Sequence, residues 1–254
     1  MKKKVPIKVH RYNPEKDEEP YYQTYKVPFT PGMKLLDALH IIQQEKDSTL
    51  AVRWNCGEGI CGSDAVRLDG QPVLACKTRI SEEWAEKEEP AVVEPLKAFP
   101  VIKDLVADYS EAYEKEQKLT PYFEGESPEG EFYTMYESDV DRAQEMRKCI
   151  NCMICYDVCH VIRDGELKFL GPRNIVKASG IDFHPKDDVD RASQLEVEGL
   201  NNCNVTRCCS FSCPQDINIT ENAIIEQKER VIQKNSLIQK LRKKLLKKHG
   251  GEEE

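Results

Sequence analysis

The sequence lacks any long hydrophobic run. Of its 254 residues, 39% are hydrophobic and 32% are charged, and the mean hydropathy is −0.62. No apolar segment approaches the ~18 residues that a membrane-spanning helix requires. We therefore expect no membrane span, and modest hydrophobic cores within one large domain or two ordinary ones.

No leader peptide is expected, and an excess of positive charge is missing. The first residues, MKKK, run directly into the strand-like segment VPIKVHRY, which fits neither a secretory signal nor a mitochondrial transit peptide. We therefore expect a reducing, intracellular location, in which a disulfide scaffold is disfavoured. The formal net charge is −8, which argues against nucleic acid as a partner.

Cysteine, by contrast, is in large excess. There are 11 cysteines, an odd number, and they fall in three tight groups instead of scattering as disulfide cysteines tend to. In a reducing compartment, such grouping indicates that the thiolates bind a metal ion or a metal cluster.

The hydrophobic pattern predicts a β-rich part followed by a helical part. The alternating segments VPIKVHRY and YYQTYKVPF predict a hairpin, and KLLDALHIIQQEKD has apolar residues at helical spacing. Further strands are predicted for LAVRW, for AVRLDGQPVLAC with a turn at Asp69-Gly70, and for AVVEPL. The expected class is α+β, with a β-rich domain at 1–105, a polar connecting segment at 106–140 and a helical domain at 141–254.

The two C-terminal cysteine groups repeat one spacing. The first is Cys149-x2-Cys152-x2-Cys155-x3-Cys159, and the second is Cys203-x2-Thr206-x2-Cys209-x3-Cys213-Pro214. In bacterial ferredoxins with this spacing, three close cysteines hold one cubane cluster and the fourth reaches the other cluster. The rule predicts a 4Fe-4S site made by Cys149, Cys152, Cys155 and Cys213. It predicts a second site made by Cys159, Cys203 and Cys209.

This second site has one ligand position changed, because Thr206 stands where the spacing requires a cysteine. A threonine hydroxyl is a poor iron ligand beside a thiolate, so we expect the corner iron to be absent and the cluster to be 3Fe-4S. Cys208 is left over. Because it adjoins Cys209, we interpret it as a packing residue; the alternative is that Cys208 restores the fourth iron.

Structural zinc is the main alternative for these cysteines. Zinc sites also use CxxC pairs, but they usually combine two such pairs into four ligands for one ion. The x2-x2-x3 pattern occurs here twice, so we favour iron–sulfur clusters over zinc or plain buried thiols.

The N-terminal group reads Cys56-x4-Cys61-x2-Asp64, with Cys76 further on. With a cysteine at position 64 this would be the spacing of plant-type 2Fe-2S ferredoxins. A carboxylate is a hard, anionic oxygen donor that can bind ferric iron, so Asp64 is predicted as the fourth ligand. The alternative is that Asp64 faces solvent and that water or another group completes the site.

The same stretch contains Gly57-x-Gly59-x-x-Gly62, which matches the dinucleotide-binding fingerprint. No helical pattern follows it, so the βαβ context that the fingerprint needs is missing. We interpret the glycines instead as positions where backbone N–H groups can approach a cluster.

Taken together, the three groups resemble the iron–sulfur subunits of succinate dehydrogenase and fumarate reductase. The matching segments are RWNCGEGICGSDAVRLDG with LAC, CINCMICYDVC, and CNVTRCCSFSCP, in the family's order and spacing. Some members of that family carry aspartate at the position of Asp64. The resemblance implies a β-grasp domain like plant-type ferredoxin, followed by an all-α domain like bacterial ferredoxin.

The resemblance also implies a role in the tricarboxylic acid cycle. In the family, a partner flavoprotein oxidises succinate at bound FAD, and electrons pass through 2Fe-2S, 4Fe-4S and 3Fe-4S clusters to a quinone at a membrane-anchor subunit. Menaquinone is one candidate for the quinone. This chain would then contain no catalytic residue, would hold FAD only through its partner, and would lie peripherally at the cytoplasmic face of the cell membrane.

Two further features concern that membrane face. His160 follows Cys159 where many family members have proline. It could donate a hydrogen bond or a proton to a quinone, or simply pack at a helix end. A terminal helix with a basic amphipathic pattern could lie on anionic lipid headgroups, or pack on its own domain or the flavoprotein. Its apolar stripe is Leu237, Ile238, Leu241 and Leu245, and its basic residues are Lys240, Arg242, Lys243, Lys244, Lys247 and Lys248.

Other functions remain alternatives. A quinol:fumarate reductase subunit would run the same path in reverse, and no residue in this chain decides the direction. A subunit of a complex using thiols or another hydroxy acid often carries further cysteine-rich segments, and none follows Cys213 here. A stand-alone multi-cluster ferredoxin is a more distant alternative.

Overall fold

The computed structural model describes residues 3–87, 89–125, 135–165 and 167–236. The N-terminal elements are β1 (Lys4–Arg11), β2 (Tyr21–Pro28), α1 (Leu35–Ile41) with a π-helical turn (Ile42–Lys46), β3 (Ala65–Leu68), β4 (Gln71–Leu74), α2 (Glu83–Glu86), β5 (Ala91–Glu94), β6 (Val101–Lys103) and β7 (Val106–Ala107). The C-terminal elements are α3 (Ser110–Gln117), α4 (Glu137–Arg147), α5 (Ile154–Asp157), α6 (His160–Asp164), α7 (Pro172–Asp182), α8 (Arg191–Val197), a 3-10 turn (Leu200–Asn202), α9 (Cys208–Phe211), a π-helical turn (Ile219–Ile225) and α10 (Glu226–Asn235).

Five N-terminal strands form one mixed sheet in the order β2-β1-β5-β3-β4. Strands β1 and β5 are parallel neighbours at its centre, while β1 with β2 and β3 with β4 form antiparallel hairpins. The buried face of α1 carries Leu35, Leu36 and Leu39, and these pack with Val5, Ile7 and other strand residues in one core. The expected α+β class, with a β-rich part before a helical part, is confirmed.

One predicted strand is wrong. Residues 50–54, the segment LAVRW, have no regular secondary structure and belong to no strand of the sheet. The N–H of Ala51 donates to the buried carboxylate of Asp104 at 2.8 Å, and its carbonyl accepts from Leu105 at 3.3 Å. The backbone N–H and carbonyl of Ala51 thus form hydrogen bonds with a loop, and not with a neighbouring strand.

Three elements were not anticipated in the middle of the chain. Strands β6 and β7 form a small separate hairpin, and α3 lies within the segment that the sequence indicated as a polar connection. Near the C-terminus, helical structure is described from Ile219 to Asn235. The predicted basic stripe at 237–248 lies outside the described residues. Within the described ranges, no helix is long and apolar enough to cross a membrane.

Asp157, on α5, joins the helical part to the sheet. Its side chain is fully buried and forms an ion pair with Arg67 of β3. Its other carboxylate oxygen accepts N–H bonds from Lys97 at 2.6 Å and Ala98 at 3.3 Å. Because α5 also carries Cys155, this junction fixes the position of that predicted ligand relative to the sheet.

Candidate iron–sulfur cluster sites

The loop before β3 curls around the sulfur of Cys56. Three backbone N–H groups donate to this Sγ: those of Glu58 at 3.3 Å, Ile60 at 3.4 Å and Cys61 at 3.3 Å. Hydrogen bonds from Glu58 and then Ile60 lower the pKa of the Cys56 thiol to about 6. Positive φ angles at Gly57 (+69°) and Gly59 (+74°) aim these N–H groups inward, which makes the loop an anion cradle.

The other N-terminal cysteines lie beside this cradle. The N–H of Cys56 donates to Sγ of Cys61 at 3.5 Å. Cys76, two residues after the end of β4, is buried, and burial followed by the Asp64 carboxylate raises the pKa of its thiol to about 12. The same pKa is affected by the N–H of Gly59 and by Cys56, so the loop and Cys76 face each other.

Asp64 points inward at the same place. It is 3% exposed, and its Oδ2 accepts the N–H of Cys76 at 2.5 Å. Its Oδ1 is buried and has no hydrogen-bond partner within the described ranges. The alternative in which Asp64 faces solvent is therefore excluded. Ligation by Asp64 stays a prediction, but a buried, unpartnered carboxyl oxygen beside Cys76 is a suitable donor for ferric iron.

Four cysteines from two distant segments line a first cavity in the helical part. They are Cys149, Cys152, Cys155 and Cys213, the set that the interleaved spacing predicts. Burial, and then repulsion by Cys149 and Cys213, raise the pKa of the Cys152 thiol to about 12. Burial also raises the pKa of Cys155 well above its usual value. Burial thus disfavours the thiolate form of these cysteines unless a cation neutralises its charge.

A second cavity is lined by Cys159, Cys203 and Cys209, the predicted three-cysteine set. Thr206 and Cys208 line it as well. Burial is the main reason for the raised pKa of the Cys209 thiol, which reaches about 11. The sequence repeat is thus also a repeat in space, with the fourth cysteine of each run lining the cavity of the other run.

The N-terminal loop touches the first cavity directly. At Gly62 (φ +68°), an added Cβ would lie 2.6 Å from the carbonyl oxygen of Ile150 and 2.9 Å from Cα of Cys152. The side chain of Gln215 donates to the carbonyl of Gly59 at 3.0 Å. The two cysteine loops are therefore packed backbone against backbone, with no side chain between them at this point.

The donor sets fit clusters better than single ions. In the described part of the chain, no three His, Cys, Asp or Glu side chains converge closely enough to hold one metal ion. A zinc site requires such convergence, with each sulfur about 2.3 Å from the ion. In an iron–sulfur cluster each cysteine binds its own iron, so the thiolates surround a volume, as they do here.

Comparison with known proteins agrees with this geometry. Residues 6–114 match the family model of the 2Fe-2S iron–sulfur cluster binding domain, and residues 145–217 match that of the 4Fe-4S dicluster domain. The fumarate reductase iron–sulfur subunit of Mycobacterium tuberculosis is 35% identical over 85% of this chain and 89% of its own length. The chain belongs to the family of succinate dehydrogenase and fumarate reductase iron–sulfur subunits.

Two further relatives are a chain of a solved complex and a longer protein. The Mycobacterium smegmatis Sdh1 complex in the apo form contains a chain with 38% identity and a TM-score of 0.84, over 92% of this chain and 98% of that one. The fumarate reductase (CoM/CoB) of Methanothermobacter marburgensis contains a chain that is 34% identical over 87% of this one. The match to the present chain spans only 43% of the length of that Methanothermobacter protein.

In this iron–sulfur subunit, Arg173 is a site residue that the sequence did not indicate. It lines the first cavity and is 2% exposed. Its guanidinium donates to Asn151 at 3.0 Å, to Asn174 at 2.7 Å and to Glu116 at 2.6 Å. It thereby ties the first cysteine loop, through Asn151, to α3 and α7. No spacing signal marks an arginine that acts in this way.

His160 lies at the second cavity, as its place beside Cys159 suggested. Its Nε2 is 2.7 Å from Nδ2 of Asn204. The side-chain amide of Asn204 is thus the hydrogen-bond partner of this ring nitrogen. Nε2 is thus used within the chain, and a role of His160 toward a quinone stays a prediction.

Proposed function

We propose that this iron–sulfur subunit conducts electrons between the FAD of a partner flavoprotein and a membrane quinone, as part of a succinate:quinone oxidoreductase in the tricarboxylic acid cycle. When bound, iron–sulfur clusters accept and release single electrons. The observation that carries the proposal is the direct packing of the N-terminal loop, at Gly62, on the loop of the first cavity. Adjacent cluster sites are what electron transfer through one chain needs, since electrons must pass from one cluster to the next.

The residues that would hold the clusters are assigned as follows. Cys56, Cys61, Asp64 and Cys76 would hold a 2Fe-2S cluster, Cys149, Cys152, Cys155 and Cys213 a 4Fe-4S cluster, and Cys159, Cys203 and Cys209 a 3Fe-4S cluster. The chain supplies thiolates, backbone N–H donors to Cys56, and a buried arginine beside the first cavity. The domain limits 1–105, 106–140 and 141–254 are part of this proposal.

Two exposed apolar side chains support partners at both ends of this path. Ile60, in the N-terminal loop, is 71% exposed, and Phe211, between Cys209 and Cys213, is 83% exposed. We assign the Ile60 end to the flavoprotein and the Phe211 end to a membrane-anchor subunit at the cytoplasmic face. The structure of a relative within the Mycobacterium smegmatis Sdh1 complex supports assembly with other subunits.

Quinol:fumarate reduction is the second candidate function. Its support is that relatives from Mycobacterium tuberculosis and Haemophilus influenzae are named fumarate reductase subunits. The direction depends on the potentials of the clusters and the quinone, which no described contact determines. Succinate oxidation and fumarate reduction rates of the isolated complex, measured with the same dyes, would separate the two.

Electron paramagnetic resonance tests the cluster assignment. We expect the anaerobically isolated, oxidised complex to give the signal of a 3Fe-4S cluster, because oxidised 2Fe-2S and 4Fe-4S clusters are silent. Succinate should remove this signal while a 2Fe-2S signal grows. A sample that is iron-rich but silent when oxidised would contradict the three-iron assignment, and an iron-poor sample would contradict the family's cofactor set.

Asp64 gives the sharpest test of the N-terminal site. We expect Asp64→Cys to keep the reduced 2Fe-2S signal at wild-type intensity, and Asp64→Ala to lose about tenfold or more of it, because an unliganded iron is readily lost. The measurement is spin quantitation after dithionite reduction, with the other cluster signals as internal reference. Full signal in Asp64→Ala would show that another group completes the site.

A further inference from the structure

Cys208 occupies a different environment from its counterpart in the first cysteine run. In the repeat, Ile154 has the place of Cys208, because each directly precedes the third ligand position and begins a short helix. The backbones match, since Asn151 and Met153 have φ angles of +57° and +64°, and the corresponding residues of the second run have +60° and +64°. Two equivalent backbones thus carry different side chains at this position.

The two side chains point to different places. Ile154 is 1% exposed and packs in the core, and it is not among the described residues that line the first cavity. Cys208, in contrast, is one of the residues that line the second cavity. A packing role, as expected for Ile154, does not account for a thiol that faces the cavity.

The thiol of Cys208 lies beside the changed ligand position. Its Sγ is 3.4 Å from Oγ1 of Thr206 and 3.9 Å from the carbonyl oxygen of the same residue. Sγ of Cys209 is 3.4 Å from Oγ1 of Thr220, which lines the same cavity. The two neighbouring thiols thus contact different residues of one cavity, so their adjacency does not prevent both from serving the cluster that it would hold.

We propose that Cys208 is a fourth thiolate of the second cavity, which binds an additional iron at the corner where Thr206 cannot. This inference rests on the proposed three-iron cluster. One electron from a low-potential donor, such as dithionite, first reduces the 3Fe-4S core to zero net charge. That core then takes up Fe2+ to give a 4Fe-4S core of charge 2+, while the Cys208 thiol loses its proton to solvent and its sulfur binds the new iron. Cys208 is only half-buried, so the ion can reach it.

The test uses the anaerobically isolated complex, treated with dithionite and ferrous ammonium sulfate, desalted and mildly oxidised. We expect the wild-type complex to lose most of its 3Fe-4S signal after this treatment, and Cys208→Ser to keep it. Thr206→Val is the matched control, because it removes the neighbouring hydroxyl and leaves the thiol, and it should behave as the wild type. Thr206→Cys restores the ferredoxin spacing and shows that uptake can be detected.

Alkylation of Cys208 gives a readout that needs no variant. Iron uptake should slow its modification by iodoacetamide, followed by mass spectrometry, by about tenfold, since a bound thiolate is a poor nucleophile. Equal alkylation with and without iron, or equal loss of signal in wild type and Cys208→Ser, would overturn the inference and leave the three-iron assignment intact. The untreated wild-type complex could contain iron and yet give no 3Fe-4S signal. In that case, the appearance of this signal in Cys208→Ser supports the inference, and its absence from Cys208→Ser refutes it. An iron-poor cavity in every form would refute the cluster assignment itself.

Discussion

In the Asp157→Asn variant, we expect the backbone amides of Lys97 and Ala98 to exchange with solvent at least about 100-fold faster than in the wild-type protein. The Asp157 carboxylate is fully buried, pairs with Arg67, and accepts both of these N–H groups. Removing one partner of a buried ion pair costs about 3–5 kcal/mol, because the remaining charge is left buried and uncompensated. Asparagine keeps the shape of the side chain but not its charge.

Hydrogen–deuterium exchange with mass spectrometry measures this effect in the segment around residues 97–98. Asp141→Asn is the matched control, since Asp141 is an exposed carboxylate on the neighbouring helix α4. The control should leave exchange at 97–98 within about twofold of the wild type, because surface substitutions rarely change stability by more than ~0.5 kcal/mol. If the two variants behave alike, Asp157 does not hold the helical part against the sheet.

The cysteine sets could be predicted from the sequence because their chemistry is local. A loop with two residues between successive cysteines brings three thiolates to one side of a cluster, and the spacing alone is enough to recognise this arrangement. The fourth ligand is distant along the chain, yet the repeat supplies it, and the structure does bring Cys213 to the first cavity and Cys159 to the second. The β1–β2 hairpin and α1 were predictable for the same reason, since each follows from a short periodic pattern.

The contacts that assemble these local units could not be predicted in this way. Asp157 and Arg67 are 90 positions apart, and no sequence pattern around either residue predicts the other as its partner. Arg173 reaches Glu116 across 57 positions, and a lone arginine on a helix is indistinguishable from a surface charge until its neighbours are known. LAVRW failed as a strand because Asp104, 53 positions away, takes the N–H that a ladder would have used. Side-chain direction at Cys208 is equally invisible in the sequence, since spacing gives positions and not orientations.

The substitution Gly62→Ala should be the most damaging change of a single methyl group in the N-terminal loop. The new Cβ would lie 2.6 Å from the backbone oxygen of Ile150 and 2.9 Å from Cα and Cβ of Cys152. Backbone atoms cannot rotate away, so the two cysteine loops must separate, at a cost of about 1–3 kcal/mol for overpacking. The positive φ of +68° adds about 1–2 kcal/mol of strain for any residue with a Cβ.

Gly57→Ala separates the two contributions. Gly57 also follows a predicted cysteine ligand and has φ +69°, but no atom lies within 4 Å of its added Cβ. Gly57→Ala therefore reports backbone strain alone, and we expect Gly62→Ala to bleach its cluster absorbance about 4–8 °C lower than Gly57→Ala. If the close packing also carries electrons, succinate should reduce the cluster of the second cavity more slowly in Gly62→Ala than in Gly57→Ala, as followed by rapid-freeze paramagnetic resonance. Equal midpoints and equal rates in the two variants would mean that the loops tolerate separation, and that the packing at Gly62 is incidental to the path.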